Sequence, residues 1–211
     1  MSMNLSSEHS PTRPKGRKIA HSFWGQAWCD HLEAHHNYEN RLAPGRSYLR
    51  KGAVLDLRIE TGYVTALVAD ELNCEVSIRI KPLEEEVWQE IVRECVGQIG
   101  SLVELIEGRL SPQVISILTA KDSGVLPTPS DVKMACTCPD YATVCVHAAA
   151  VLYGIGSKLD HAPELLFTLR SIDYRQIINA AAQELTVGHS SFDQVTSARS
   201  ELEELFGIEL E

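Results

Sequence analysis

The chain has 211 residues, 44% of them hydrophobic and 23% charged, and carries a net charge of −10. That length and balance describe a folded globular protein of one large domain or two small ones and exclude a disordered or fibrous chain. The acidic excess excludes coating of nucleic acid by bulk attraction alone, yet residues 1–51 carry a local +4, so phosphate contact is expected only from the first quarter.

No apolar run approaches the roughly 18 residues that span a bilayer, and the first 18 or so residues, rich in Ser, Pro, Lys and Arg, lack the apolar core of a secretory signal. They read as a tail, 1–18, with no membrane partner. The expected location is cytoplasmic, where thiols stay reduced and clustered cysteines serve as metal ligands or reactive groups rather than disulfides.

Order is expected from Ser22, an N-cap for a helix on which Trp24, Trp28 and Leu32 form one apolar stripe. RLAPGRSYLRKG reads as a loop, because it combines Pro, two Gly and four basic residues. LDLRIE, YVTALVA and CEVSIRI alternate apolar and polar residues, with Thr61 and Gly62 as a turn, and predict a three-stranded antiparallel meander with Cys74 in its core. Pro82 ends the sheet, and Glu84–Glu86 precede a helix carrying Val87, Trp88, Ile91, Val92, Cys95 and Ile99 on one face, which Leu102–Ile106 extend. Ser111 and Pro112 open a short helix, VISILTA. The expected division is an N-terminal α+β domain at 19–120, a linker at 121–131, a metal-binding region at 132–170 and C-terminal helices at 171–211. Of the last, one begins near Tyr174 with Asp173 and Gln176 as a capping box, and SARSELEELFGIEL forms another; both read as packing helices, with docking of a partner as the alternative for the final one.

The stretch CTCPDYATVCVH places Cys136, Cys138, Cys145 and His147 in the spacing C-x-C, six residues, C-x-H. On an extended strand residues two apart share a side, so Cys136 and Cys138 reach one ion at sulfur to zinc distances of about 2.3 Å. Pro139 and Asp140 begin a turn, and the second pair opens an Ala-rich helix whose dipole offsets the −1 charge of three thiolates and a neutral imidazole on a divalent ion. Four protein ligands leave no open position for a water, which makes such a site structural rather than catalytic. Zinc binding to such clusters is worth about 10–16 kcal/mol, and the expectation is that one ion here replaces a hydrophobic core. The competing readings are buried apolar cysteines beside a core histidine, and an iron–sulfur site, which normally uses wider cysteine spacings and paired histidines.

These four residues make the chain resemble the SWIM zinc finger, whose pattern is C-x-C-x(n)-C-x-H. FWGQAWCDHLE, RLAPGRSYLRKGAVLDLRIETGYVTALV and HAPELLFTLR look like segments of bacterial SWIM-containing proteins, a group associated with Swi/Snf-type helicases. The resemblance implies one structural zinc ion and binding to DNA or to protein, without enzymatic chemistry.

Two other constellations stand out. Cys29, His31, His35 and His36 suggest a second metal site or a cysteine nucleophile, but read better as a polar helix surface beside the tryptophan stripe. Arg41, Arg46, Arg50 and Lys51, with Tyr48 between them, form a basic stretch able to touch phosphates and stack on a base, to which Lys15, Arg17 and Lys18 can add. The expectation is an α+β protein in which a helix and meander domain precedes a zinc-stapled β-hairpin and helix, then C-terminal helices. It is read as no enzyme but a module for a protein partner, a Swi/Snf-type helicase, or alternatively for DNA or RNA.

Overall fold

A computed structural model describes residues 11–14, 16–34, 39–96, 98, 112–120, 123–140 and 142–188. Among them are helices α1 (Phe23–Glu33), α2 (Glu39–Lys51), α3 (Glu85–Val96), α4 (Pro112–Leu118), α5 (Val146–Leu159), α6 (Leu165–Leu169) and α7 (Arg175–Gly188). The strands are β1 (Val54–Glu60), β2 (Tyr63–Val68), β3 (Cys74–Ile80) and β4 (Val132–Cys136), in one antiparallel sheet of order β1-β2-β3-β4. The α+β class is as expected. No described helix is long and apolar enough to cross a membrane.

The chain divides into two units, one from Met1–Pro82 with Pro127–Ser171 and one from Leu83–Leu126 with Ile172–Glu211. This differs from the sequential division expected. The meander does not end at β3, because β4 pairs with it, Val76 opposite Cys136 and Ile80 opposite Val132. The strand before the metal cluster therefore belongs to the same sheet as the N-terminal segments, and the ligands are mounted on a four-stranded sheet rather than on a hairpin of their own. Within the stretch expected as a linker, Val125 and Leu126 are buried, and Asp131 accepts hydrogen bonds from the Thr128 amide and hydroxyl in a short 3-10 turn.

In unit 1, α5 is the central helix. Every residue from His147 to Ser157, and Leu159, is buried, against one face of the sheet and against α1 and α2. Such burial is incompatible with an ion standing in for a core: at about 25 cal/mol per Å² of apolar surface, the helix is held first by packing. Ser22 caps α1 as expected, its hydroxyl accepting from the Gly25 amide at 3.1 Å, while Asp160 after α5 accepts from the amides of His21 and Ser22. The Trp28 indole donates to the Leu152 carbonyl at 2.8 Å. Trp24 is only half-buried and meets Phe167 edge-on.

The basic stretch expected as a loop is helix α2. Leu42, Gly45 and Leu49 recur at helical spacing and face α5. Pro44 and Gly45, which in sequence resemble a turn, serve a close crossing: a Cβ on Gly45 would lie 2.6 Å from Ala149 Cβ and 2.8 Å from the Ala150 nitrogen. Helix packing has overridden the local signal. In unit 2, Trp88, Ile91, Val92 and Cys95 of α3 are buried, and α3 packs on α4 and α7. Gln176 does not complete a capping box. Its side-chain oxygen accepts from the Trp88 indole at 2.7 Å, while Asp173 alone receives the Arg175 amide. Ile99, Leu102–Ile106 and the SARSELEELFGIEL segment lie outside the described residues.

Candidate metal centre

Cys136 ends β4, Cys138 lies in the bend that follows, Cys145 is the N-cap of α5, and His147 is that helix's second residue. The turn between the pairs is made by Asp140, whose carboxylate accepts from the Ala142 amide at 3.0 Å and pairs with Arg41 at 3.2 Å. The strand end and the bend after it thus deliver two donors, and the cap and first turn of the helix the other two. The three sulfurs and one imidazole nitrogen all lie within 4.8 Å of one another. A tetrahedral zinc ion with bonds of about 2.3 Å to sulfur and 2.0–2.1 Å to nitrogen requires donor separations of roughly 3.6–3.8 Å. The Cys136 Sγ to His147 Nδ1 distance is 3.8 Å. The four groups fit such an ion, and among the described residues no other group of three or more His, Cys, Asp or Glu side chains does.

The electrostatics divide the three thiols. The Ala148 amide in the first turn of α5 donates to Cys145 Sγ at 3.3 Å, so the positive end of the helix dipole faces the cluster. Burial raises the pKa of the Cys136 and Cys145 thiols. Burial acts upward on Cys138 too, but hydrogen bonds from His147, the Asp140 amide and the neighbouring thiols outweigh it and bring this pKa down to about 7. A low-pKa thiol among protonated ones is the one that gives up its proton first to an incoming cation.

The orientation of His147 comes from a residue that the sequence pattern does not mark. Its Nε2 lies 2.8 Å from Asp70 Oδ2, in the loop between β2 and β3, and a carboxylate can only accept, so Nε2 carries the proton and Nδ1 is left for the metal. Burial works against the imidazolium, but the hydrogen bonds to Asp70 and Cys138 prevail and raise its pKa. Asp70 is itself held: Tyr48 donates its hydroxyl to Oδ2 at 3.0 Å and the Glu71 amide donates to Oδ1 at 2.9 Å. The Tyr48 ring also meets the His147 ring edge-on at 5.5 Å. A chain from α2 through the hairpin loop to α5 therefore aims the nitrogen ligand.

The basic residues expected to touch nucleic acid are mostly engaged elsewhere. Arg46 donates to Glu33 and to the Tyr153 hydroxyl, at 2.5 and 2.9 Å, with its guanidinium over the Tyr153 ring. Arg41 pairs with the metal turn, and Tyr48 supports Asp70. Arg50 and Lys51 are exposed. Of the Cys29 and histidine group, Cys29 is buried in α1, His31 meets the Pro127 carbonyl at 2.9 Å, and His35 and His36 lie outside the described residues.

No protein-family model and no solved structure matches this chain. It is 29% identical over 168 residues to the uncharacterized protein Rv2102 of Mycobacterium tuberculosis, an alignment covering 78% of this chain and 60% of that protein. The chain thus spans less than two thirds of this distant homologue, whose name carries no activity.

Proposed function

We propose that the chain is a zinc-binding module of SWIM type that recognises a protein partner and performs no chemistry of its own. One observation carries this reading: the donor atoms of Cys136, Cys138, Cys145 and His147 all lie within 4.8 Å of one another, four protein ligands for one ion, the number that a tetrahedral zinc site takes. With no position open for water, the ion lacks the vacancy that catalytic zinc uses, and its contribution is to lock β4, the bend and the start of α5 together. The partner, a Swi/Snf-type helicase or related DNA-handling protein, rests on the C-x-C-x6-C-x-H resemblance and its flanking segments. Purified protein should contain equimolar zinc, and wild type should retain such a helicase from cell lysate while a Cys145→Ser variant does not. Equal retention by both, or none by either, defeats the assignment.

A second reading, direct contact with DNA or RNA, is supported by a part of the basic set that the sequence suggests, Arg17, Lys18, Arg50 and Lys51, joined by Arg13. Arg50 donates to the Arg17 carbonyl at 2.7 Å, and the Arg13 side chain lies over Gly52, so exposed Arg13, Arg17 and Lys18 gather beside exposed Arg50 and Lys51. Five cations neutralising phosphates give a slope of about −4 to −5 in log affinity against log salt on duplex DNA. No binding at low salt, or a flat response, removes this reading.

A further inference from the structure

A fifth sulfur lies against the four donors. Cys74 is the first residue of β3 and is 4% exposed. Val76 sits directly opposite Cys136, and residues two apart on a strand share a face, so Cys74 and Cys136 occupy the same side of the sheet. The Thr137 amide donates to the Glu75 carbonyl at 3.1 Å, which carries the pairing one residue past β4, and one step further along the same register would set Cys138, in the bend, opposite Cys74. Directly opposed residues of an antiparallel pair have Cα atoms about 4.5–5.5 Å apart, within the range a disulfide spans. Burial raises the pKa of the Cys74 thiol, and the sulfurs of Cys138, Cys136 and Cys145 all bear on it as well, as the register expects. Cys74 donates its own proton to the Leu72 carbonyl at 3.2 Å, as a thiol held beside the cluster rather than in it. Cys136 and Cys138 are half-buried and face reagents first, while Cys74 is behind them.

We infer that Cys74 is a resolving thiol, which captures an oxidised sulfur of the Cys136 and Cys138 pair as a disulfide and so converts the metal site into a hydroperoxide-sensitive one. This rests on the zinc reading above. A ligand sulfur attacks the peroxide oxygen; an S–O bond forms, the O–O bond breaks, and the leaving oxygen takes up a proton to become water while the metal loses that ligand. The Cys74 sulfur then attacks the sulfenic sulfur; the S–S bond forms, the S–O bond breaks, and the thiol proton leaves with the hydroxyl as a second water. Two thiols are oxidised by two electrons, and one hydroperoxide is reduced. The metal, left with fewer sulfur ligands, is released.

The full chain, loaded with zinc, is treated with hydrogen peroxide while a chromogenic chelator reports released metal. Zinc content is measured first: if wild type holds none, the metal reading itself has failed, whatever Cys74 does. Given equimolar zinc, wild type should lose it with two thiols, fragmentation should find Cys74 bonded to Cys136 or Cys138, and a thiol reductant with added zinc should restore the site. In Cys74→Ser, whose hydroxyl can still reach the Leu72 carbonyl, zinc content before peroxide should match wild type, but the Cys74 crosslink should be lost, and with only disulfides among the ligand sulfurs left to compete, a larger share of the site should run on to sulfinic acid that the reductant does not reverse. Cys74→Ala, which fills the buried position without a polar group, should behave the same way. Retention of zinc by peroxide-treated wild type, a Cys74 that stays a free thiol after the metal has left, or full recovery by both variants would overturn the inference.

Discussion

At its N-terminal end α5 meets the rest of unit 1 through the Cys145 and His147 donors and the hydrogen bond from His147 to Asp70. From Ala149 onward it meets α1 and α2 through small residues and buried aliphatic side chains. There a Cβ on Gly25 would lie 2.5 Å from the Gly156 carbonyl, and Ile155 and Leu159 are fully buried. One end is held by a few directional groups, the other by close packing that no single atom dominates. The lesson is that an ion held by these donors would be a clamp on one end of an already packed helix, and not the substitute for a core that a short ligand-rich segment suggests. Its loss should open the clamp and leave the packing.

The largest effect should come from the packed end. Ile155→Ala empties a fully buried position and should cost about 2–5 kcal/mol, read as a lowered denaturant midpoint for unit 1, with zinc still bound to the folded fraction. Chelation should act differently. Hydrogen exchange should lose protection near Cys136, in the first turn of α5 at Ala148 and in the Asp70 loop, while amides from Leu152 to Leu159 stay protected. Loss of protection along the whole of α5 on chelation would erase the distinction between its ends and restore the ion as the main support.

How much of this was legible in the sequence follows from the range of the forces involved. The four donors were legible because their spacing is local: two residues apart at a strand end and in the bend that follows it, and at the cap and second position of a helix. The meander was legible from alternation, with β3 spanning Cys74–Ile80 as the pattern predicts. Asp70 was not, since it lies 77 residues from His147 and becomes its partner only once β4 has joined β3. The one available hint was its place in the loop directly before Cys74. Helix α2 was misread for a related reason: Pro44 and Gly45 punctuate a loop when only local preference counts, and become assets when another helix must come close. Cys74 was placed correctly in the core, but its neighbours there were invisible without the strand register.

A smaller effect tests how the clamp is aimed. Asp70→Asn keeps an oxygen acceptor but removes the charge that faces His147 Nε2, and loss of such a partner weakens metal affinity by about 10–100-fold. Competition against a chromophoric chelator should show that weakening, and Tyr48→Phe should show only a few-fold change, because it withdraws one hydrogen bond from a carboxylate that keeps its Glu71 amide. An unchanged affinity in Asp70→Asn would mean that the histidine is held by α5 alone.

The smallest expected effect is a null one, and it reads both ends of α5 at once. Cys29 of α1 lies against the packed end, where a Cβ on Gly156 would be 2.9 Å from its sulfur. Burial, reinforced by Glu33 and Asp30, pushes its thiol from 9.0 up to about 12. At pH 8 only about one in ten thousand such thiols is a reactive thiolate, so iodoacetamide should leave Cys29 unlabelled with or without a chelator. Cys136, Cys138 and Cys145 should label only after chelation. The same shift sets a sign for stability against pH. The folded chain holds the Cys29 proton more tightly than the unfolded one, so this contribution is complete below pH 9 and is lost as pH rises toward 12. Should Cys29 label as fast as the ligand cysteines once the metal is stripped at pH 8, the far end of α5 must open with the near end, and the packing would depend on the ion after all.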